Sequence, residues 1–143
     1  MSDGVMIAYL PVNSEWARQP LPHMTLVYCG TIGDLSPTAK NRLAKDAISA
    51  GMMTGPIGLE VTGVDTFGDS FERVDVITLF STPRLLTARK MVENWNASEH
   101  PFNPHATIGP EGTASEVVIP PMVYFDRIMV GWGDERMVFN LSR

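Results

Sequence analysis

Short apolar runs with the two-residue alternation of β-strands recur along the whole chain. They predict seven strands, over residues 5–12, 23–31, 57–67, 74–80, 105–110, 123–131 and 135–141. The run 74–80 is rich in β-branched and apolar residues, which is typical of a buried strand. The last two runs flank Gly133 and Asp134, so they predict a hairpin.

Two segments follow the helical period instead. Ser36 and Pro37 predict an N-cap and a first helical residue, and Gly51 predicts the end of this helix. Its apolar stripe consists of Ala39, Leu43, Ala44, Ala47 and Ile48. Thr82 and Pro83 repeat the same start before a second helix. The buried face of that helix would hold Leu85, Ala88, Val92 and Trp95.

The predicted elements follow the order β-β-α-β-β-α-β-β-β, which indicates an α+β fold rather than strict βαβ alternation. We expect residues 1–143 to form a single domain, because this length fits one ordinary domain and no linker or low-complexity segment divides it. Each half of the pattern contains one helix that starts at a proline. The two halves therefore look like similar lobes of one domain.

Composition excludes several classes of protein. With 44% hydrophobic and 19% charged residues, the chain is neither disordered nor a coiled coil. The net charge of −5 and the lack of a basic run argue against binding of long nucleic acid. Cys29, the single cysteine, has no disulfide partner, and no apolar run approaches a membrane span of about 18 residues. We expect a cytoplasmic monomer without a leader sequence or a membrane anchor.

A local phrase that occurs twice carries the candidate chemistry. Pro-His-Met-Thr-Leu at residues 22–26 is followed 82 residues later by Pro-His-Ala-Thr-Ile at 104–108. On a strand, alternate side chains share a face, so each phrase presents an imidazole and a hydroxyl on one side. If the halves meet symmetrically, His23, Thr25, His105 and Thr107 converge on one pocket.

Two imidazoles and two hydroxyls suit phosphodiester chemistry that needs neither a metal nor a cofactor. An imidazole can act as base or acid near neutral pH, and each such proton transfer typically contributes about 10²–10⁴ in rate. The threonine hydroxyls can donate hydrogen bonds to the phosphate oxygens on which negative charge develops. Which histidine acts as acid and which as base stays open.

The paired His-x-Thr motifs resemble those of the 2H phosphoesterase superfamily, which includes 2′-5′ RNA ligase-like proteins and cyclic nucleotide phosphodiesterases. The similarity extends over residues 22–30, 102–109 and the intervening strand pair 59–79. It implies a bilobal fold of two pseudo-symmetric antiparallel-sheet lobes, each with a helix, and a catalytic cleft between them. Members of the family often carry a basic residue after the second motif, where this chain has Gly-Pro-Glu at 109–111.

The resemblance also implies a small nucleotide substrate. The candidates are a 2′,3′-cyclic phosphate, a 2′-5′ linkage, or a cyclic oligonucleotide signal of bacterial immunity, which some small viral members cleave. Trp16 and Arg18 precede the first motif and either close over a base and a phosphate or belong to an ordinary surface loop. Tyr28 and Phe102 flank the motifs and either contact the substrate or pack the lobes.

Two other functions are compatible with the same residues. The cleft could bind and sequester a cyclic nucleotide without cutting it, although binding alone does not require two imidazoles. His23, His100 and His105 could form a zinc site, but this leaves both threonines and the internal symmetry unexplained. We expect His100 to be a solvated loop residue and Cys29 to be a buried strand residue rather than a nucleophile.

Overall fold

Seven antiparallel strands form one continuous sheet in the computed structural model, which describes residues 3–141. The strands are β1 (Gly4–Pro11), β2 (Met24–Thr31), β3 (Ile57–Gly68), β4 (Arg73–Leu79), β5 (His105–Pro110), β6 (Met122–Trp132) and β7 (Glu135–Asn140). The helices are α1 (Ala39–Thr54) and α2 (Pro83–Met91). Short 3₁₀ turns occupy Ile32–Asp34, Glu93–Trp95 and Thr113–Glu116. The order of strands and α-helices is the predicted one.

Strand β6 holds the two halves of the sheet together. Its first residues pair with β3, with Phe125 opposite Ile57. Its remaining residues pair with β1 on one side and with β7 on the other. The first half thus contains β1, β2, β7 and most of β6, and the second half contains β3, β4 and β5. The halves meet a second time where β2 touches β5.

Helix α1 differs from the prediction at both ends. It begins at Ala39, whose N–H donates to the Ser36 carbonyl oxygen at 3.0 Å, and the N-cap is Thr38 rather than Ser36. It continues through Gly51 to Thr54 and is capped by Gly55, whose φ is +61°. Glycine adopts this positive φ readily because it has no Cβ atom.

Helix α2 begins as predicted. The Thr82 hydroxyl accepts a hydrogen bond from the Leu85 N–H at 3.2 Å, and Pro83 is the first helical residue. Helices α1 and α2 pack against each other, and α1 also packs on β6. Within residues 3–141, no helix is long and apolar enough to cross a membrane.

The main core lies between the helices and one face of the sheet. Ile7 and Tyr9 of β1 belong to this core, whereas Ala8 and Leu10, which alternate with them, belong to a smaller buried cluster with Met129. The alternation therefore places the small cluster on the face that the helices do not cover. This second face carries the candidate site.

Candidate active site

The two motif strands touch at a single pair of residues. Met24 of β2 lies opposite Ala106 of β5 in antiparallel register. Both residues are fully buried in the main core. The histidine and threonine on either side of each therefore point to the opposite face of the sheet.

The register at this pair determines how the polar groups are arranged. Continued by one residue in each direction, it sets Thr25 across from His105 and His23 across from Thr107. Directly opposite residues on antiparallel strands have Cβ atoms about 4.5–5.5 Å apart. The pairing of Met24 with Ala106 thus brings the two motifs side by side, and Thr25 and His105 line one cavity.

The two imidazoles are oriented by equivalent backbone contacts. Nδ1 of His23 lies 3.1 Å from the Leu21 carbonyl oxygen, and Nδ1 of His105 lies 2.7 Å from the Asn103 carbonyl oxygen. A carbonyl oxygen only accepts, so each Nδ1 carries the hydrogen. In the neutral ring the lone pair is therefore on Nε2, the nitrogen available to a substrate.

A wide cavity opens on one side of this arrangement. It has a volume of about 770 Å³ and is lined by Thr25 and Tyr28 of β2, Phe67 near the β3–β4 turn, His105, and several residues of segment 96–103. The Phe67 and His105 rings meet edge to face, with centroids 4.8 Å apart. His23 and Thr107 lie outside the lining. The cavity therefore extends from the Thr25 and His105 end of the site.

Arg89 of α2 also lines the cavity, although it was not among the residues predicted from the sequence. Its side chain is buried; Nε donates to Glu93 Oε2 at 2.7 Å and Nη1 donates to the Leu26 carbonyl oxygen at 3.0 Å. Its Cζ lies 5.0 Å from the centroid of the Phe102 ring. Beside an apolar helix stripe an arginine usually reaches solvent, so the sequence signal for this residue is weak.

The predicted substrate-binding residues separate into two groups. Tyr28 and Phe102 line the cavity. Trp16 does not: only 1% of it is exposed and it packs in the main core. The expectation of a surface loop side chain at this position is wrong, because the large apolar surface of an indole is stabilised by burial.

Arg18 also lies outside the cavity lining and has a structural contact instead. Its Nη2 donates to the Glu116 carbonyl oxygen at 3.1 Å. A Cβ atom on Gly109 would lie 3.1 Å from the Arg18 Cβ, so Arg18 packs closely over the end of β5. It fastens the segment that follows the second motif.

The remaining candidates are resolved by burial and position. His100 is exposed, as predicted, but it also lines the cavity. In the described part of the chain, no three His, Cys, Asp or Glu side chains are grouped so that they could hold a metal ion. Cys29 is buried, and burial raises the pKa of its thiol to about 12 against the opposing charge of Arg89. Such a thiol is a poor nucleophile.

Comparisons with known proteins agree on one family. The sequence model of the 2′-5′ RNA ligase superfamily matches residues 12–121. No curated protein matches the sequence. The structure of Kluyveromyces marxianus Usb1 is similar with a TM-score of 0.63 and 8% identity, over 97% of this chain and 98% of that chain. The structure of Escherichia coli LigT in apo form has a TM-score of 0.55 and 19% identity, over 100% of this chain and 99% of that chain.

A ligand-bound structure is similar to the same extent. Escherichia coli LigT complexed with 3′-AMP has a TM-score of 0.55 and 18% identity, over 98% of this chain and 99% of that chain. At these identities the likenesses concern the fold. They confirm the predicted α+β class and the bilobal antiparallel architecture.

Proposed function

Because this chain belongs to the 2′-5′ RNA ligase superfamily, whose members are 2H phosphoesterases, we propose that it is a metal-independent phosphodiesterase of small nucleotides. His23 and His105 form its acid–base pair, and Thr25 and Thr107 hold the phosphate. The observation that supports the proposal is the pairing of Met24 with Ala106, two buried residues that are each flanked by the histidine and the threonine of their motif. The matching Nδ1 contacts support it, since they leave both Nε2 atoms for the substrate.

For a 2′,3′-cyclic phosphate, the reaction needs one neutral and one protonated histidine. The neutral Nε2 takes a proton from water as the water oxygen bonds to phosphorus. The bond from phosphorus to a ribose oxygen breaks, and the protonated Nε2 of the other histidine gives its proton to that oxygen. The threonine hydroxyls donate to the non-bridging oxygens as their negative charge grows. For a 2′-5′ or 3′-5′ linkage, a ribose hydroxyl replaces the water and the product is a cyclic phosphate.

The cavity favours a nucleotide as substrate. Its volume of about 770 Å³ lies within the range of small-molecule sites, about 300–1,000 Å³. Tyr28 and Phe102 supply aromatic walls to the cavity. LigT has been obtained with 3′-AMP and Usb1 with uridine monophosphate. We extend this ligand class to the present chain, with 2′,3′-cyclic, 2′-5′-linked and cyclic oligonucleotide substrates of immune signalling as candidates.

Turnover of a nucleotide panel in EDTA tests the proposal. We expect cleavage of one substrate class, with a loss of about 10²–10⁴-fold in kcat for His23→Ala and for His105→Ala. Thr25→Val and Thr107→Val should each lower kcat by a smaller factor, through loss of one phosphate contact. Thr87→Val on the exposed surface of α2 is the matched control and should keep wild-type activity.

Two results would contradict the proposal. Tight binding of a nucleotide that the protein never cleaves would indicate a sequestering module that uses the same cleft. Activity that EDTA abolishes and zinc restores would indicate a metal hydrolase.

A further inference from the structure

The cavity beside His105 continues along segment 96–103, beyond the two motif strands. His100, Ser98 and Asn103 of this segment all line it. The volume of about 770 Å³ is in the upper part of the range for small-molecule sites. The cavity thus offers polar side chains besides the four groups proposed for catalysis.

Segment 96–103 is fastened by hydrogen bonds. The Ala97 N–H donates to the Tyr28 carbonyl oxygen at 2.9 Å, which ties the segment to the first motif strand. Asn96 Nδ2 donates to the Ser98 carbonyl oxygen, and the Ser98 N–H donates back to Asn96 Oδ1. The His100 N–H donates to Ser98 Oγ at 3.1 Å. The backbone at His100 is therefore positioned before any ligand binds.

The groups around this part of the cavity are suited to an anion. Ser98 Oγ accepts from the His100 N–H and keeps its own O–H as a donor. Arg89 uses Nε and Nη1 for hydrogen bonds, and a guanidinium has five N–H donors. No aspartate or glutamate of residues 3–141 is part of the lining, although the whole chain has a net charge of −5. Arg89 itself is ion-paired with Glu93, so the lining attracts an anion through its hydrogen-bond donors rather than through net positive charge.

We propose that His100, together with Ser98 and Asn103, forms a second phosphate subsite. The preferred substrate is then a nucleotide with a further phosphate besides the one being cut. This inference rests on the proposed function, because it specifies the substrate class of the same cleft. A terminal 5′-phosphate and the next diester of a short chain present the same non-bridging oxygens, so both fit the subsite chemistry.

Calorimetric binding to matched ligands tests the subsite. The probes are 3′-AMP and adenosine 3′,5′-bisphosphate, which differ by one phosphate and contain no diester. We expect the wild-type protein to bind the bisphosphate about tenfold more tightly, as one charge-assisted hydrogen bond allows. His100→Asn should reduce this ratio to below about threefold, and His100→Arg should restore it, because arginine supplies N–H donors and a positive charge at this position. Circular dichroism checks that each variant is folded.

A third ligand distinguishes the two sources of the phosphate. The dinucleotide ApAp, measured in the His23→Ala protein, carries its second phosphate as a diester. If His100→Asn reduces the affinity for ApAp more than the affinity for the bisphosphate, the subsite binds a diester phosphate of a chain. If it reduces the affinity for the bisphosphate more, the subsite binds a terminal phosphate.

The failures of the two proposals are separable. If the wild-type protein does not prefer the bisphosphate, or if His100→Asn leaves that preference unchanged, the subsite proposal is wrong. The proposed function still stands in that case, provided that the protein binds 3′-AMP and cleaves a nucleotide substrate. Absence of both nucleotide binding and turnover would overturn the two together.

Discussion

At the scale of single residues, both motif histidines are oriented by a backbone carbonyl two positions upstream, that of Leu21 for His23 and that of Asn103 for His105. The repeated Pro-His-x-Thr phrase identified these histidines in the sequence, although it did not predict this contact. Arg89 could not be found in the same way, because its position at the cavity depends on how α2 packs on β2. The repeated motif could thus be identified from the sequence, whereas the position of Arg89 at the cavity could not.

Asp75 illustrates a second residue that local patterns do not reveal. Its carboxylate accepts hydrogen bonds from the backbone N–H groups of Ala114 and Gly112 and from the Thr66 hydroxyl. These contacts join β4 to the turn that follows the second motif. The Ala114 N–H makes the largest contribution to lowering the pKa of Asp75 below its ordinary value of 3.8, and the charge of Arg73 adds to it.

We predict that Asp75 stabilises the fold in a pH-dependent way. A carboxyl whose pKa is lowered by folding adds stability above its ordinary pKa, and this stability is lost as the pH falls through the lowered value. Asp75→Asn should therefore lower the urea midpoint clearly at pH 7 and much less near pH 3. Asp65→Asn, an exposed neighbour on β3, is the control and should change little at either pH. An equal loss for Asp75→Asn at both pH values would contradict the prediction.

At the scale of elements, the sequence predicted the number and order of strands and α-helices but misplaced the ends of α1. Gly51 looked like a helix terminator, but it lies inside the helix and permits a close approach to the sheet. A Cβ atom there would lie 2.7 Å from Leu141 Cδ2 and 3.1 Å from Ile128 Cγ2. Glycine marks both helix ends and close packing, and only the tertiary contacts distinguish these uses.

Gly51→Ala tests this role of the glycine. Alanine gains about 1 kcal/mol of helix propensity over glycine. Overpacking a core typically costs about 1–3 kcal/mol, and Ile128 is β-branched and has little freedom to move aside. We therefore expect a net loss of about 1 kcal/mol in the free energy of unfolding, measured in urea. A Cβ atom on Gly33 would have no atom within 4 Å, so Gly33→Ala should change the free energy of unfolding by no more than about 0.5 kcal/mol. If Gly51→Ala stabilised the protein, the gain in helix propensity would outweigh the cost of overpacking, contrary to the prediction.

At the scale of the whole molecule, β6 links the two halves by pairing with strands of both. The strand pattern alone did not predict these pairings. Alternation identifies a strand and its buried face, but it says nothing about which strand lies next to it. The contacts of β6 with β1 and β3 make the sheet continuous through both halves. That residues 1–143 form a single domain stays a prediction, which the unfolding behaviour of the chain can test.

We predict one cooperative unfolding transition for both halves. Ile7 in β1 and Leu59 in β3 are fully buried, so Ile7→Ala and Leu59→Ala should each cost about 2–5 kcal/mol. Because β6 couples the halves, both variants should shift the same transition, with tryptophan fluorescence and far-UV circular dichroism coinciding. Two separate transitions, each moved by one variant only, would show that the halves are independent domains.

The pairing of β1 with β6 also bears on how the protein is made. Val5 lies opposite Trp132, so a strand near the start of the described chain has its partner near the end. During translation this pairing cannot form until the residues up to Trp132 have been synthesised. Contacts of such long sequence separation form slowly. The residues of β1 and β2 therefore leave the ribosome long before β6 does, and the sheet that supports the first motif is complete only after β6 has been synthesised.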